Sequence, residues 1–129
     1  MKTDWETFFK EGDSYLRVAQ GGARRPKVFT PEVVYNLAAM ALEKHVMAVL
    51  MYNGTLADNH TFEDLVDATD RCCPLETTVR QRLLDLQQHQ QICSPYDGYR
   101  RDTLTREVGD EITLVATQIQ GWAKEKCAA

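Results

Sequence analysis

The chain has 129 residues, of which 43% are apolar and 26% are charged, and its formal net charge is −4. This is the composition of an ordinary globular protein, which argues against disorder, and the length suits one domain with a real core. The acidic balance excludes a general nucleic-acid coat, which would be basic, but leaves room for a local basic patch. We therefore expect a single domain over residues 1–129.

The N-terminus and the cysteines favour a cytoplasmic protein. The segment MKTDWETFFK reaches acidic and aromatic residues at once and lacks the apolar core of a signal peptide. The four cysteines, Cys72, Cys73, Cys93 and Cys127, lack zinc-like spacing, and reduced thiols suit them best. No metal and no cofactor is expected.

The first predicted helix runs from Asp4 to Gln20. Its apolar and small residues recur at three- and four-residue steps, which is typical of an amphipathic helix. They are Trp5, Phe8, Phe9, Gly12, Tyr15, Leu16 and Ala19. Gly21 and Gly22 are expected to end this helix, and a linker with two arginines and a lysine follows.

The sequence from residue 31 to 53 predicts a central helix that is buried on several sides by its neighbours, because it is apolar nearly all round. Thr30 can cap its start, and Pro31 suits the first helical position. Gly54 is the expected stop, since glycine accepts the left-handed conformation past a helix end. The stripe of Met40, Met47 and Met51 predicts core packing or a dimer face.

A charged stretch interrupts this apolar helix. Glu43, Lys44 and His45 stand at its centre, so we expect a core helix of a soluble bundle and no membrane span. Because unpaired buried charges are costly, Glu43 and Lys44 are expected to join a structural network, with each other or with neighbouring helices. His60, just ahead of the next helix, is expected to bond the loop and pack against the preceding helix.

Three further amphipathic patterns complete the chain. Thr61 is the expected cap of a short third helix, and a fourth runs from Leu75 or Glu76 to Ile92. Thr105 is the expected cap of the last helix. The last helix has an apolar seam of Val108, Ile112, Val115, Ile119 and Trp122. Since no stretch reads as a strand, the prediction is an all-α fold, an up-and-down bundle of four to five helices.

In their order and spacing, several of these segments resemble the HEPN superfamily, whose name abbreviates higher eukaryotes and prokaryotes nucleotide-binding. The segments are NLAAMALEKHVMAVLMYNG, ADNHTFEDLVDA and YDGYRRDTLT, the last of them before a helix ending in GWAKE. The family pattern A-x-E-K-x-x-x-A-x-L, a loop with Gly and a His before an apolar-acidic helix reads here as Ala41, Glu43, Lys44, Ala48, Leu50, Gly54 and His60. The resemblance implies a helical bundle, often a homodimer, which in many members accompanies an MNT-type nucleotidyltransferase in two-component or toxin–antitoxin systems.

Some members of this family are RNases with an R-x4–6-H motif, in which Arg and His act together on the phosphodiester. At the corresponding place this chain reads YRRDTLT, which has the arginines but no histidine. Catalysis is therefore not expected, because the group suited to proton transfer near neutral pH is missing. Arg82 and His89 have the R-x6-H spacing on the fourth helix and share a face two turns apart. We favour chance as the reason for that spacing.

Two basic clusters stand in the predicted loops: Arg24, Arg25 and Lys27 in the first, and Tyr99, Arg100, Arg101 and Arg106 near the last. Arginine with tyrosine can clamp a phosphate and stack a base. The alternative is that these are solvated charges that pair with the abundant acidic residues. The clusters form one site only if the first and last loops meet in space.

Three hypotheses follow. The favoured one is a homodimeric, non-catalytic HEPN-type module that binds a nucleotide, RNA or a partner nucleotidyltransferase through Tyr99, Arg100, Arg101, Arg24 and Arg25. The second is a metal-independent endoribonuclease of toxin type, with His89 as general acid or base and Arg82 stabilising the phosphorane. The third is a structural adaptor that binds another protein. No membrane partner is expected.

Overall fold

Five α-helices make up most of the computed structural model, which describes residues 2–25, 27–90 and 104–127. They are α1 (Lys2–Ala23), α2 (Pro31–Tyr52), α3 (Phe62–Cys72), α4 (Thr77–Gln90) and α5 (Arg106–Cys127). The described residues contain no strand. The all-α bundle that the sequence predicts is thereby confirmed.

α2 is the centre of the bundle, with α1, α3 and α5 packed against it. Its start is capped by Thr30, whose Oγ1 accepts from the Val33 N–H at 3.2 Å, and Pro31 takes the first helical position. Asn53 caps the other end, and Gly54 follows with a φ of 75°, in the left-handed region. Both ends lie where the cap chemistry predicts them.

By length and apolarity α2 is also a candidate membrane span, a test that core helices of soluble proteins pass as well. In this fold, 61% of its apolar window is buried by the protein itself. The three methionines of α2 differ in burial: Met47 is buried, Met51 is half-buried and Met40 is exposed. That α2 spans no membrane stays a prediction.

The predicted end of α1 is wrong by several residues. Gly21 and Gly22 do not stop the helix, which continues to Ala23. The chain then turns through hydrogen bonds from the Arg24 N–H to the Gly21 carbonyl and from the Arg25 N–H to the Gly22 carbonyl. Packing explains why residue 22 is glycine, because a Cβ there would stand 2.7 Å from the Phe29 ring.

α4 begins later than the sequence indicates. It begins at Thr77, because the side chain of Glu76 accepts from the N–H groups of Thr78 and Val79 and so caps the helix. Leu75 is buried just ahead of it. The predicted end at Ile92 lies outside the described residues.

α5 begins as predicted, with the Thr105 hydroxyl accepting from the Val108 N–H at 3.2 Å. The middle of its seam, Ile112, Val115 and Ile119, is fully buried. Val108 and Trp122 at the two ends of the seam are half-buried. The seam therefore packs on the bundle along its whole length.

The helices define two ends of the bundle. The first turn of α5 lies against the first turn of α2, since a Cβ on Gly109 would stand 3.6 Å from Val34 Cγ1 and 3.8 Å from the Pro31 carbonyl. We call this the connection end, because the α1–α2 connection also lies there. At the other end, Trp5 of α1 packs against the cluster that includes Cys127 of α5. We call it the terminal end.

Candidate functional site

At the connection end, the first loop and the start of the last helix meet. They share a cavity of about 170 Å³. Its walls are Gly22, Ala23 and Phe29 from α1 and the connection, Pro31 and Val34 from α2, and Arg106, Gly109 and Asp110 from α5. The cavity thus brings part of the second basic cluster, Arg106, to the loop that carries the first. Tyr99, Arg100 and Arg101 lie outside the described residues.

The basic side chains at this end have no acidic partner in the described part of the chain. Arg24, Arg25, Lys27 and Arg106 are exposed, and no described carboxylate lies within salt-bridge distance of them. Arg80 of α4, in contrast, forms a bidentate pair with Asp70 of α3. The N-termini of α2 and α5 add partial positive charge. An anion that binds here would neutralise charge that the described residues leave unpaired.

Arg82 and His89 contact different helices. The Arg82 Nε lies 3.9 Å from Glu111 Oε1 of α5. The His89 ring lies edge-on to Tyr35 of α2, with the ring centroids 6.1 Å apart. Each of the two side chains therefore has a structural neighbour of its own, and these contacts do not bring them together.

Glu43 and Lys44 extend away from each other to partners on either side of α2. Glu43 hydrogen-bonds His60 Nδ1, which ties the loop before α3 to α2. Lys44 Nζ lies 2.9 Å from Glu11 Oε1 and 4.6 Å from the centroid of the Phe8 ring, so it joins α2 to α1. These contacts are those of a structural network made with neighbouring segments.

The sequence reading missed a polar cluster between α1, α2 and α5. His45 is fully buried, and its Nε2 lies 2.9 Å from Asp13 Oδ1. The same oxygen accepts from Gln120 Nε2 at 2.8 Å. Room for the imidazole exists because residue 12 is glycine: a Cβ there would stand 2.8 Å from two atoms of the ring.

Burial lowers the pKa of His45 below its ordinary value of 6.5, although the hydrogen bond to Asp13 acts in the opposite direction. A neutral imidazole donates its Nε2 proton to the carboxylate. Its Nδ1 is buried without a hydrogen-bond partner among the described residues. The imidazole therefore orients Asp13 through a single hydrogen bond, from Nε2.

Asp13 also faces a second cavity, at the terminal end, of about 310 Å³. The other walls are Trp5, Glu6, Phe9 and Lys10 from α1 and Lys124 and Cys127 from α5. Burial and the neighbouring Cys73 raise the pKa of the Cys127 thiol to about 11, so the sulfur is protonated near neutral pH. A protonated thiol is a poor nucleophile, so Cys127 contributes apolar surface to this cavity.

A weak signal for the polar cluster does exist in the sequence. His45 interrupts an apolar helix, and Gly12 interrupts the apolar face of α1. Neither exception shows which residues complete the cluster, because Asp13 and Gln120 stand 107 positions apart in the chain. Only packing brings the three helices together.

Within the described ranges, no group of three His, Cys, Asp or Glu side chains is placed to hold a metal ion. The cavities at the two ends of the bundle instead present charged side chains and hydrogen-bonding groups. Comparison of the chain with protein-family models, with curated proteins and with solved structures found no match.

Proposed function

We propose that this protein is a non-catalytic binding module that takes a phosphate-bearing ligand, a nucleotide or RNA, at the connection end. The observation that carries the proposal is the shared cavity, in which the α1–α2 connection meets the first turn of α5. It brings basic groups from both ends of the sequence to one end of the bundle. None of them is engaged by a described carboxylate, so they are available to an anion.

This end of the bundle offers the ligand two kinds of contact. Arg24, Arg25 and Arg106 supply guanidinium groups, which bind phosphate oxygens in a fork-like geometry. Phe29, half-buried over Gly22, supplies an aromatic wall for a base. Tyr99, Arg100 and Arg101 belong to the proposal through the sequence, in which they stand just ahead of α5.

The nucleotide-binding expected from the HEPN resemblance agrees with this proposal. A partner nucleotidyltransferase is the alternative occupant of the same end, since an acidic surface on a protein can meet the same arginines. The contacts of Arg82 and His89 with different helices support leaving catalysis out. RNA that stays intact with the protein in the presence of a chelator agrees with that, whereas cleavage that is lost in His89→Ala would favour an endoribonuclease.

The test is a titration of the labelled protein with ATP and then with a short RNA, followed by NMR. Amide shifts are expected in the α1–α2 connection and the first turn of α5. The double variant Arg24→Ala/Arg106→Ala is expected to weaken binding by about a hundredfold or more, because it removes two charge-assisted contacts that each contribute roughly 1.5–3 kcal/mol.

The matched control is Arg71→Ala, which removes an exposed arginine from the last turn of α3. It should bind both ligands as the unmodified protein does. Equal affinities of all three proteins, or shifts confined to other parts of the bundle, would refute the assignment to the connection end.

A homodimer is part of the same proposal, and one side of the α1–α2 pair fits it. Two stripes make up this α1–α2 face: Phe8, Glu11, Tyr15 and Val18 on α1, and Val33, Leu37, Met40 and Lys44 on α2. The stripes lie side by side, because Lys44 contacts both Phe8 and Glu11. Val18, Val33 and Met40 are 45%, 43% and 41% exposed, so the face offers apolar side chains to a second copy.

Light scattering coupled to gel filtration tests the dimer. The unmodified chain should elute with the mass of two copies, and Met40→Glu with the mass of one, because a dimer interface would have to desolvate the new carboxylate. Leu114→Glu, at an exposed apolar position of α5, is the control and should leave the mass unchanged. A monomeric unmodified chain would contradict the dimer and leave the ligand proposal standing.

A further inference from the structure

The cavity at the terminal end is a second site that the proposed function does not use. It is separate from the connection end, since Trp5 and Gly22 stand at opposite ends of α1, roughly 25 Å apart at ~1.5 Å per residue. Its volume of about 310 Å³ is that of a pocket for a small molecule. Its walls carry two carboxylates and two basic groups, whereas one of each, Asp110 and Arg106, lines the cavity at the connection end.

One wall of this cavity presents a carboxylate in a fixed orientation. The Oδ1 of Asp13 accepts two hydrogen bonds, from His45 at 2.9 Å and from Gln120 at 2.8 Å. Its Oδ2 has no hydrogen-bond partner among the described residues, and the side chain is 31% exposed. A carboxylate held through one oxygen presents the other as a preorganised acceptor.

The polar cluster behind Asp13 costs the bundle stability. A fully buried imidazole in an apolar core is less favourable than an apolar side chain of the same size, and here the neighbouring residue must also be Gly12. A glycine inside a helix adds a further cost. What the cluster achieves in return is the position of Asp13 at the cavity wall.

The charged side chains around the cavity balance. Glu6 and Asp13 are acidic, and Lys10 and Lys124 are basic. Glu6, Lys10 and Lys124 form no ion pair with any described residue. A ligand with one charge would pair with a residue of one sign only, whereas a zwitterion pairs with one acidic and one basic residue.

We propose that this cavity binds a small zwitterion, an α-amino acid with an aromatic or aliphatic side chain. Its ammonium group donates to Asp13 Oδ2, and its carboxylate pairs with Lys124 across the cavity. Its side chain packs on the rings of Trp5 and Phe9, which are half-buried and lie edge to face 6.3 Å apart. The protonated thiol of Cys127 adds apolar surface to the same wall.

L-Phenylalanine and L-leucine are the probes, added to the labelled full chain at millimolar concentration and followed by NMR. Shifts are expected at the indole N–H of Trp5 and at the side-chain amide of Gln120. Two analogues separate the contacts: 2-phenylethylamine lacks the carboxylate, and 3-phenylpropanoate lacks the ammonium group. Both should bind about tenfold or more weakly than L-phenylalanine, because each loses a charge-assisted contact.

Two variants assign the contacts to residues. Asp13→Asn keeps the oxygen that accepts from His45 and Gln120 but replaces the free oxygen by a donor, so L-phenylalanine should bind about tenfold to a hundredfold more weakly. Lys124→Met should weaken L-phenylalanine and leave 2-phenylethylamine unchanged. Asp67→Asn, at an exposed carboxylate of α3, is the matched control and should change neither.

The outcomes that overturn the proposal are distinct from those for the connection end. They are an absence of shifts at Trp5 and Gln120 with both amino acids, or an Asp13→Asn variant that binds as the unmodified chain does. Equal binding of 3-phenylpropanoate and L-phenylalanine would also overturn it. If Asp13→Asn fails to fold, the contrast between the two ligands in Lys124→Met decides. ATP binding at the connection end is unaffected by any of these results.

Discussion

At the scale of single residues, Gly12 and His45 depend on each other. The imidazole occupies the space that a side chain at residue 12 would need, and the edge of the Phe9 ring closes the site, with its centroid 4.9 Å from that of His45. Helix propensity alone favours alanine over glycine at an interior position. In this protein the packing of the imidazole opposes that preference.

Gly12→Ala should therefore destabilise the protein, by about 1–3 kcal/mol, because the new methyl group overpacks against the His45 ring. Gly121→Ala is the matched control in α5, where nothing lies within 4 Å of the added Cβ. It should stabilise the protein by about 0.5–1 kcal/mol through helix propensity alone. Urea unfolding measures both changes, and changes of the same sign would contradict the packing argument.

The buried imidazole also predicts a pH dependence of stability. Because burial lowers the pKa of His45 in the folded state, the unfolded chain binds the proton more readily as the pH falls below 6.5. The free energy of unfolding should therefore decrease as the pH falls from 6.5 to the pKa of His45 in the folded state. His45→Leu lacks this group, so its free energy of unfolding should fall less steeply.

Urea unfolding at a series of pH values compares the two proteins. The difference between their profiles removes the contribution of the carboxylates that do not contact His45, which is the same in both proteins. Parallel profiles across this interval would show that the imidazole is not the group responsible.

At the scale of helices, the caps decide where each element begins. Thr30, Thr61 and Thr105 each place a hydroxyl oxygen on an N–H of the first turn of α2, α3 and α5. Glu76 does the same for α4 with its carboxylate. The two caps at the connection end also fix the positions of the helix N-termini around its cavity.

Thr30→Ala removes one of these caps and should lower the free energy of unfolding by about 1 kcal/mol. The control is Thr7→Ala, which makes the same chemical change at an exposed interior position of α1. It should leave stability within about 0.5 kcal/mol, because no cap is lost. Equal losses in the two variants would mean that the threonine hydroxyl at position 30 does not act as a cap.

At the scale of the whole molecule, charge is distributed unevenly. The net charge of −4 repels anions at long range, so the phosphate ligand that we propose would have to be held by local contacts at the connection end. Those contacts release counterions and weaken as salt is added. The terminal end, where acidic and basic groups balance, should respond less to salt.

RNA affinity should therefore fall linearly with salt on logarithmic axes. For Arg106→Ala the slope should be shallower by roughly 0.7–1, the loss of one phosphate contact. Fluorescence anisotropy of a labelled RNA measures the slope, with Arg71→Ala as the variant that keeps it. An affinity independent of salt would show that phosphate contacts do not drive binding.

The sequence by itself determined the helices, because a helix is specified by residues close together in the chain. Hydrophobic spacing of three and four residues gave all five elements, and hydroxyl caps gave the starts of α2, α3 and α5. The end of α1 and the start of α4 were missed. Gly22 lies within α1 and packs under Phe29, so this glycine does not mark the helix end. The Glu76 side chain caps α4, so the helix begins after it.

The tertiary structure alone decided which of these elements meet. The α1–α2 connection reaches the first turn of α5, and Asp13, His45 and Gln120 converge from three helices. The spacing of residues along one helix contains no information about the neighbour that packs against it. Both cavities are therefore products of packing, since each has walls from segments at opposite ends of the sequence.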